Sequence, residues 1–129
     1  MSSESPSPDH AVPAASLDAE ALARLRELDP QGKNGVVTKV LGAFETSLAR
    51  MLGQLRAQLP QPQASVVSAV AHTLKSSSAS VGALQLSRTC AEVESLIRAG
   101  QLASLDRDIG RLIAEGESAM VAVRAILRP

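Results

Sequence analysis

Residues 36–59 carry apolar side chains at Val37, Leu41, Phe44, Leu48, Met51, Leu52, Leu55 and Leu59, recurring at steps of three, four and seven. That is the period of an amphipathic α-helix. At the usual rise such a helix is about 36 Å long, so its stripe can be covered only by other long helices, and the chain supplies three. A third helix begins near Ala64, after Pro60-Gln61-Pro62 ends the second, and runs through Val81 to be closed by Gly82. A fourth runs from about Ala83 to Ala99, with Leu86, Cys90, Val93 and Ile97 on one side and Gly100 as its C-terminal glycine. A fifth runs from about Ala103 to Leu127, with Leu105, Ile109, Leu112, Ile113, Met120, Val123 and Leu127 facing the core. Asp106 and Asp108 near its start and Arg124 and Arg128 near its end suit the helix dipole.

Ahead of these, Asp18 reads as an N-cap, and Leu17 and Leu22 as a hydrophobic staple. The short helix they begin continues through Leu25 and Leu28 and stops at Asp29-Pro30, because the residue before proline avoids helical angles. Gln31 to Gly35 form a turn. The expected fold is all-α: an antiparallel up-down-up-down four-helix bundle, with the short additional N-terminal helix capping one end. Residues 17–129 form this domain, and residues 1–16, rich in Ser, Pro and Ala, read as a disordered tail or linker. His10 lies in that tail without neighbours suited to a metal or phosphate role.

Composition narrows the function. Hydrophobic residues make up 45% but aromatics only 1%, so the core is built from Leu, Val, Ile and Ala, which suits closely packed helices better than a β-sandwich. Thirteen basic residues balance thirteen acidic ones, which argues against nucleic acid or an anionic membrane as a partner. With no apolar run near the roughly 18 residues of a membrane span and no signal-like N-terminus, the reading is a cytoplasmic protein without direct membrane insertion. Cys90, the single cysteine, cannot form an internal disulfide and reads as a small buried hydrophobe.

One stretch stands apart from the packing pattern: Ala71-His72-Thr73-Leu74-Lys75-Ser76-Ser77-Ser78-Ala79-Ser80-Val81-Gly82. Turning about 100° per residue, Val67, Val70, Leu74 and Val81 fall on the side of the helix opposite His72, which therefore points away from the core. Its own side carries Ser65, Ser68, Lys75, Ser76 and Ala79, so a second protein can bring its backbone close to the imidazole. Lys75, one turn on, can supply a positive charge to an anion carried on the ring. Between Glu45 and Glu92 the chain has no acidic residue, while Arg50, Arg56, Lys75 and Arg88 are present, so nothing there repels a phosphoryl group.

These residues resemble the signature of histidine-containing phosphotransfer (HPt) domains. That pattern reads H-x-L-K-G-S-S, about four small or aliphatic residues, Gly, then a helix with Leu, Cys and Leu-Glu. Here the chain gives His72-Thr73-Leu74-Lys75-Ser76-Ser77-Ser78, then Gly82, Leu86, Cys90 and Val93-Glu94, departing at Ser76 where the family usually has glycine. The resemblance covers roughly residues 17–127. It implies a carrier: His72 accepts a phosphoryl group from a receiver-domain aspartate and passes it to another receiver-domain aspartate. A hairpin folded near Ala83 sets His72 roughly opposite Glu94, and in the resembled family a Gln or Glu at this spacing hydrogen-bonds the unphosphorylated ring nitrogen. From the residues alone, Glu94 is equally an exposed helix charge.

The expected parts are thus His72 as phosphoacceptor, Lys75 for charge neutralisation, Glu94 as a candidate orienter of His72, and Ser65, Ser68, Ser76, Ala79 and Gly82 as the docking face. The expected partners are receiver domains of a hybrid sensor histidine kinase, a response regulator, or both. No metal site is read in this chain, and no cofactor; the magnesium ion is expected in the partner receiver. The sequence has no G-x-x-x-x-G-K-[ST] loop and no kinase glycine loop, so no ATP-dependent kinase activity of its own is expected. A helical adaptor that binds a partner helix in an apolar groove is the main competing reading. An enzyme using Ser76-Ser77-Ser78 as nucleophile would lack a base and an oxyanion site.

Overall fold

A computed structural model describes residues 16–129. The expected tail and His10 therefore lie, apart from Ser16, outside the described residues. The rest is all helical: α1 (Ala19–Glu27), α2 (Val36–Gln58), α3 (Ala64–Ser80), α4 (Leu84–Arg98) and α5 (Leu105–Leu127). Helices α2 to α5 form an antiparallel ring in which α3 packs on α4, α4 on α5, α5 on α2 and α2 on α3. The short α1 packs on α2 and closes the end where α2 begins and α3 turns into α4. No helix among the described residues is long and apolar enough to cross a membrane.

The core is one aliphatic cluster, with Leu41, Leu48 and Leu55 of α2, Val67 and Leu74 of α3, Leu86 and Val93 of α4 and Ile109, Leu112 and Val123 of α5 fully or almost fully buried. Each such side chain contributes on the order of 1.5–3 kcal/mol by leaving water. The apolar stripes therefore hold the bundle, and changes on its outer surface cost little. Ile113 and Leu127, expected in the core, are only half-buried at its margin. In their place Gly116 and Ala119 give α5 a flat, buried strip, and a Cβ added at Gly116 would lie 2.5 Å from Leu52 Cδ2.

Helix ends follow the local chemistry. Asp18 accepts a hydrogen bond from Ala21 N at 3.1 Å, capping α1. The start of α2 has no side-chain cap at its own Gly35. Instead the buried Asp29 reaches forward and accepts from Asn34 N at 3.0 Å and Val36 N at 3.3 Å. Gly82, at φ +85°, ends α3 with two reverse bonds, Gly82 N to Ala79 O (3.1 Å) and Ala83 N to Ser78 O (2.8 Å). This pairing turns the chain sharply enough for α4 to return along α3.

Candidate functional site

Helix α3 is built from small and β-branched residues, and its inward row of Val67, Val70, Ala71, Leu74 and Ser78 is buried. His72 points the other way, with 69% of its side chain exposed. The tight turn at Gly82 fixes the register of α4, placing Glu94 across from His72. Ser87 fixes it further by donating its hydroxyl to the Lys75 carbonyl at 2.9 Å. Ser87 lies seven residues before Glu94 and so on the same stripe of α4. This cross-helix bond was not legible in the sequence, since a serine on a helix most often bonds within its own helix.

Glu94 is a buried carboxylate, 8% exposed, and its hydrogen bonds define the site. Its Oε1 accepts from Lys75 Nζ at 2.7 Å, and its Oε2 lies 2.8 Å from His72 Nδ1. Arg98 Nη2, one turn on, is 3.8 Å from Oε2. The bond from Lys75, and after it that of His72, holds the Glu94 carboxyl below its ordinary value of 4.5, against the opposing effect of burial. The carboxylate is therefore ionised near neutral pH and can only accept. Nδ1 must then carry the ring proton, which leaves the lone pair on Nε2, at the far side of the imidazole, directed to solvent. The arrangement leaves Nε2 open to act as a nucleophile without a separate base.

Lys75 shares the face of His72, as expected, but its charge is not free: it is the principal partner of Glu94. Ser65, Ser76 and Ala79 are exposed around His72 and Ser68 is half-buried, giving the face low relief. Ala69 and Thr73, also exposed and within a turn of the histidine, extend it; the sequence reading passed over both because neither carries a distinctive side chain. Gly82, expected on this face, does not belong to it. It is buried against α1, its carbonyl accepts from Asp18 N at 2.8 Å, and an added Cβ would lie 2.7 Å from that same nitrogen. Its surface is used inside the molecule. Cys90 lies in the core behind the site, where burial, followed by the negative charge of Glu94, pushes its thiol up to about 12. It is packing rather than chemistry.

A shallow groove between α2 and α3 adjoins the histidine face, with Thr73 and Ser65 on one wall and Arg50 and Gln54 on the other. Its floor is Met51, Val66 and Val70.

Compared with known proteins, the chain matches the family model described as Hpt domain over residues 39–125. No curated protein matches it. Among solved structures it is similar to the crystal structure of histidine-containing phosphotransfer protein B (HptB) from Pseudomonas aeruginosa PAO1, with a TM-score of 0.74 and 24% identity. That match covers 92% of this chain and 97% of the other. At this level of identity the likeness establishes a shared fold.

Proposed function

The chain belongs to the Hpt domain family, and on that footing we propose that it is a phosphoryl carrier in a two-component phosphorelay, with His72 as acceptor. Its donor is the phospho-aspartate of a receiver domain and its recipient an aspartate of another, as in a hybrid sensor histidine kinase and a response regulator. The single observation that carries this reading is the 2.8 Å contact of His72 Nδ1 with an ionised, lysine-held Glu94. It fixes the ring in the tautomer and orientation in which Nε2 can attack.

In the forward step, the Nε2 lone pair forms a bond to phosphorus as the bond from phosphorus to the aspartyl oxygen breaks. The aspartate leaves as a carboxylate, and no proton need move. The imidazole becomes cationic as the N–P bond forms, and Glu94, facing the Nδ1–H, stabilises that charge where it develops. The reverse step, to a second receiver, uses the same contacts. Lys75 stands one turn from the ring, with two of its ammonium protons beyond the bond to Glu94 available to the phosphoryl oxygens. The magnesium ion and most of the transition-state stabilisation belong to the receiver. This chain supplies position, tautomer and an uncluttered surface for approach to about 3 Å between reacting atoms. It is accordingly an intermediate in transfer and not a kinase.

The test is incubation with a phosphorylated receiver domain. The wild-type chain should acquire acid-labile, base-stable label, and His72→Gln should acquire none while keeping its helical circular dichroism and melting temperature. An equally labelled His72→Gln protein would remove His72 from the role.

A further inference from the structure

The groove between α2 and α3 opens beside His72, since Thr73, the next residue of α3, forms part of its wall. Arg50 stands at its rim, exposed, with no hydrogen bond or ion pair to its side chain among the described residues. Most other arginines on or next to the long helices are engaged: Arg56 pairs with Glu117, Arg98 with Glu94, Arg111 with Glu92, and Arg124 and Arg128 with Glu45, while Arg88 bonds Gln85. Arg107 of α5 is also unpaired among the described residues but does not line the groove. No acid within reach along the chain can neutralise Arg50. The sequence has none between Glu45 and Glu92, so all of α3 and the remainder of α2 are without one. Glu45 is already held by two arginines on α5. Lys75, the other cation on this side of α3, is held by Glu94.

A guanidinium left unpaired at the edge of an apolar-floored groove, next to the reacting ring, is suited to an acidic group brought by the partner. Resting on the phosphorelay reading, we infer that Arg50 is a specificity-determining residue: it pairs with a carboxylate on the receiver's docking surface, beside the phosphoryl-carrying aspartate, while Met51 and Val70 take an apolar neighbour of that carboxylate. The pairing selects among receivers and speeds encounter. It touches neither the phosphoryl group nor His72, so it acts on KM and leaves the chemical step alone. Receivers with a neutral or basic residue at the matching place are poor partners.

The experiment uses the full chain and a phosphorylated receiver domain that loads the wild-type protein, with phosphoramidate as a small donor that needs no docking. Phosphoramidate transfers its phosphoryl group to the ring nitrogen with loss of ammonia, so it reports the reactivity of His72 alone. Arg50→Glu should raise KM for the receiver by about tenfold with kcat unchanged, Arg50→Lys should restore most of the loss, and the wild-type dependence of KM on salt should flatten in Arg50→Ala. Labelling of His72 by phosphoramidate should be equal in all four proteins. Wild-type KM and salt dependence in Arg50→Glu would overturn this inference while leaving the phosphorelay reading standing. Reduced phosphoramidate labelling in Arg50→Glu would also overturn it, by showing that the residue acts through the site and not through docking. If the wild-type chain is labelled by phosphoramidate but by no receiver, the phosphorelay reading fails and this inference with it.

Discussion

His72 owes its proposed reactivity to the carboxylate that holds the other side of its ring, and that carboxylate owes its charge first to Lys75. Because Glu94 is held below 4.5 by its partners, its contribution to the site is complete above that value and is lost as the pH falls through the lowered one. Lys75→Ala removes the largest cause of the lowering. Glu94 in that variant should therefore protonate at higher pH than in the wild type. The life of the phospho-histidine should also shorten, without loss of acceptance near neutral pH. Titration of the Glu94 carboxyl by carbon NMR, alongside the decay of label, checks both. Coincident titrations would show that the lysine is an ordinary surface charge. The sequence placed Lys75 and His72 on one face by helical spacing. It could not show that the lysine is engaged by Glu94, because that depends on the lateral approach of α4.

The hairpin of α3 and α4 is the element that assembles the site, and its turn rests on one residue. Gly82 sits at φ +85°, where an alanine costs about 1–2 kcal/mol. Its missing Cβ also leaves room for Asp18 N at 2.7 Å and Ala21 Cβ at 3.1 Å. Gly82→Ala should thus destabilise the fold by about 2 kcal/mol or more and loosen α1, read as a lower urea midpoint and faster amide exchange in residues 19–27. Gly53→Ala is the control: it is helical, with open space around its Cβ position, and should stabilise by about 0.5–1 kcal/mol. Equal effects would mean that the close approach of α1 carries no energy. The glycine was legible as a helix terminator, and helix limits read from glycine, proline and period agree with the structure to within about two residues. Its second task was not, since the segment that needs the space lies far back in the chain. Asp29 was hidden for the same reason: it caps α2 across a turn, from a position that looked only like the end of α1.

At the scale of the whole molecule, two kinds of order are combined. The aliphatic period, which any side chain of the right size satisfies, sets the bundle and was readable at once. The pairing of charges between helices was not. Arg124 and Arg128, which suit the end of a helix dipole, are in fact joined to Glu45 of α2 at 2.8 and 3.1 Å, and Glu92 of α4 meets Arg111 of α5 at 2.6 Å. Such exposed pairs are screened by water, so they adjust stability without deciding the fold. Their distribution has a larger consequence for function. Several charges of α5 are matched by partners on α2 and α4, while the face of His72 keeps a single buried acid and has an unmatched arginine beside it. The proposed transfer depends on the state of one ring. Nitrogen NMR of the protein labelled in its histidine side chains, before and after transfer from a phosphorylated receiver, reads it directly. His72 should begin with its proton on Nδ1 and end with phosphorus bonded to Nε2 and the Nδ1 proton still shared with Glu94, as the proposed transfer requires. A proton on Nε2 at the start, or phosphorus on Nδ1 at the end, would contradict it.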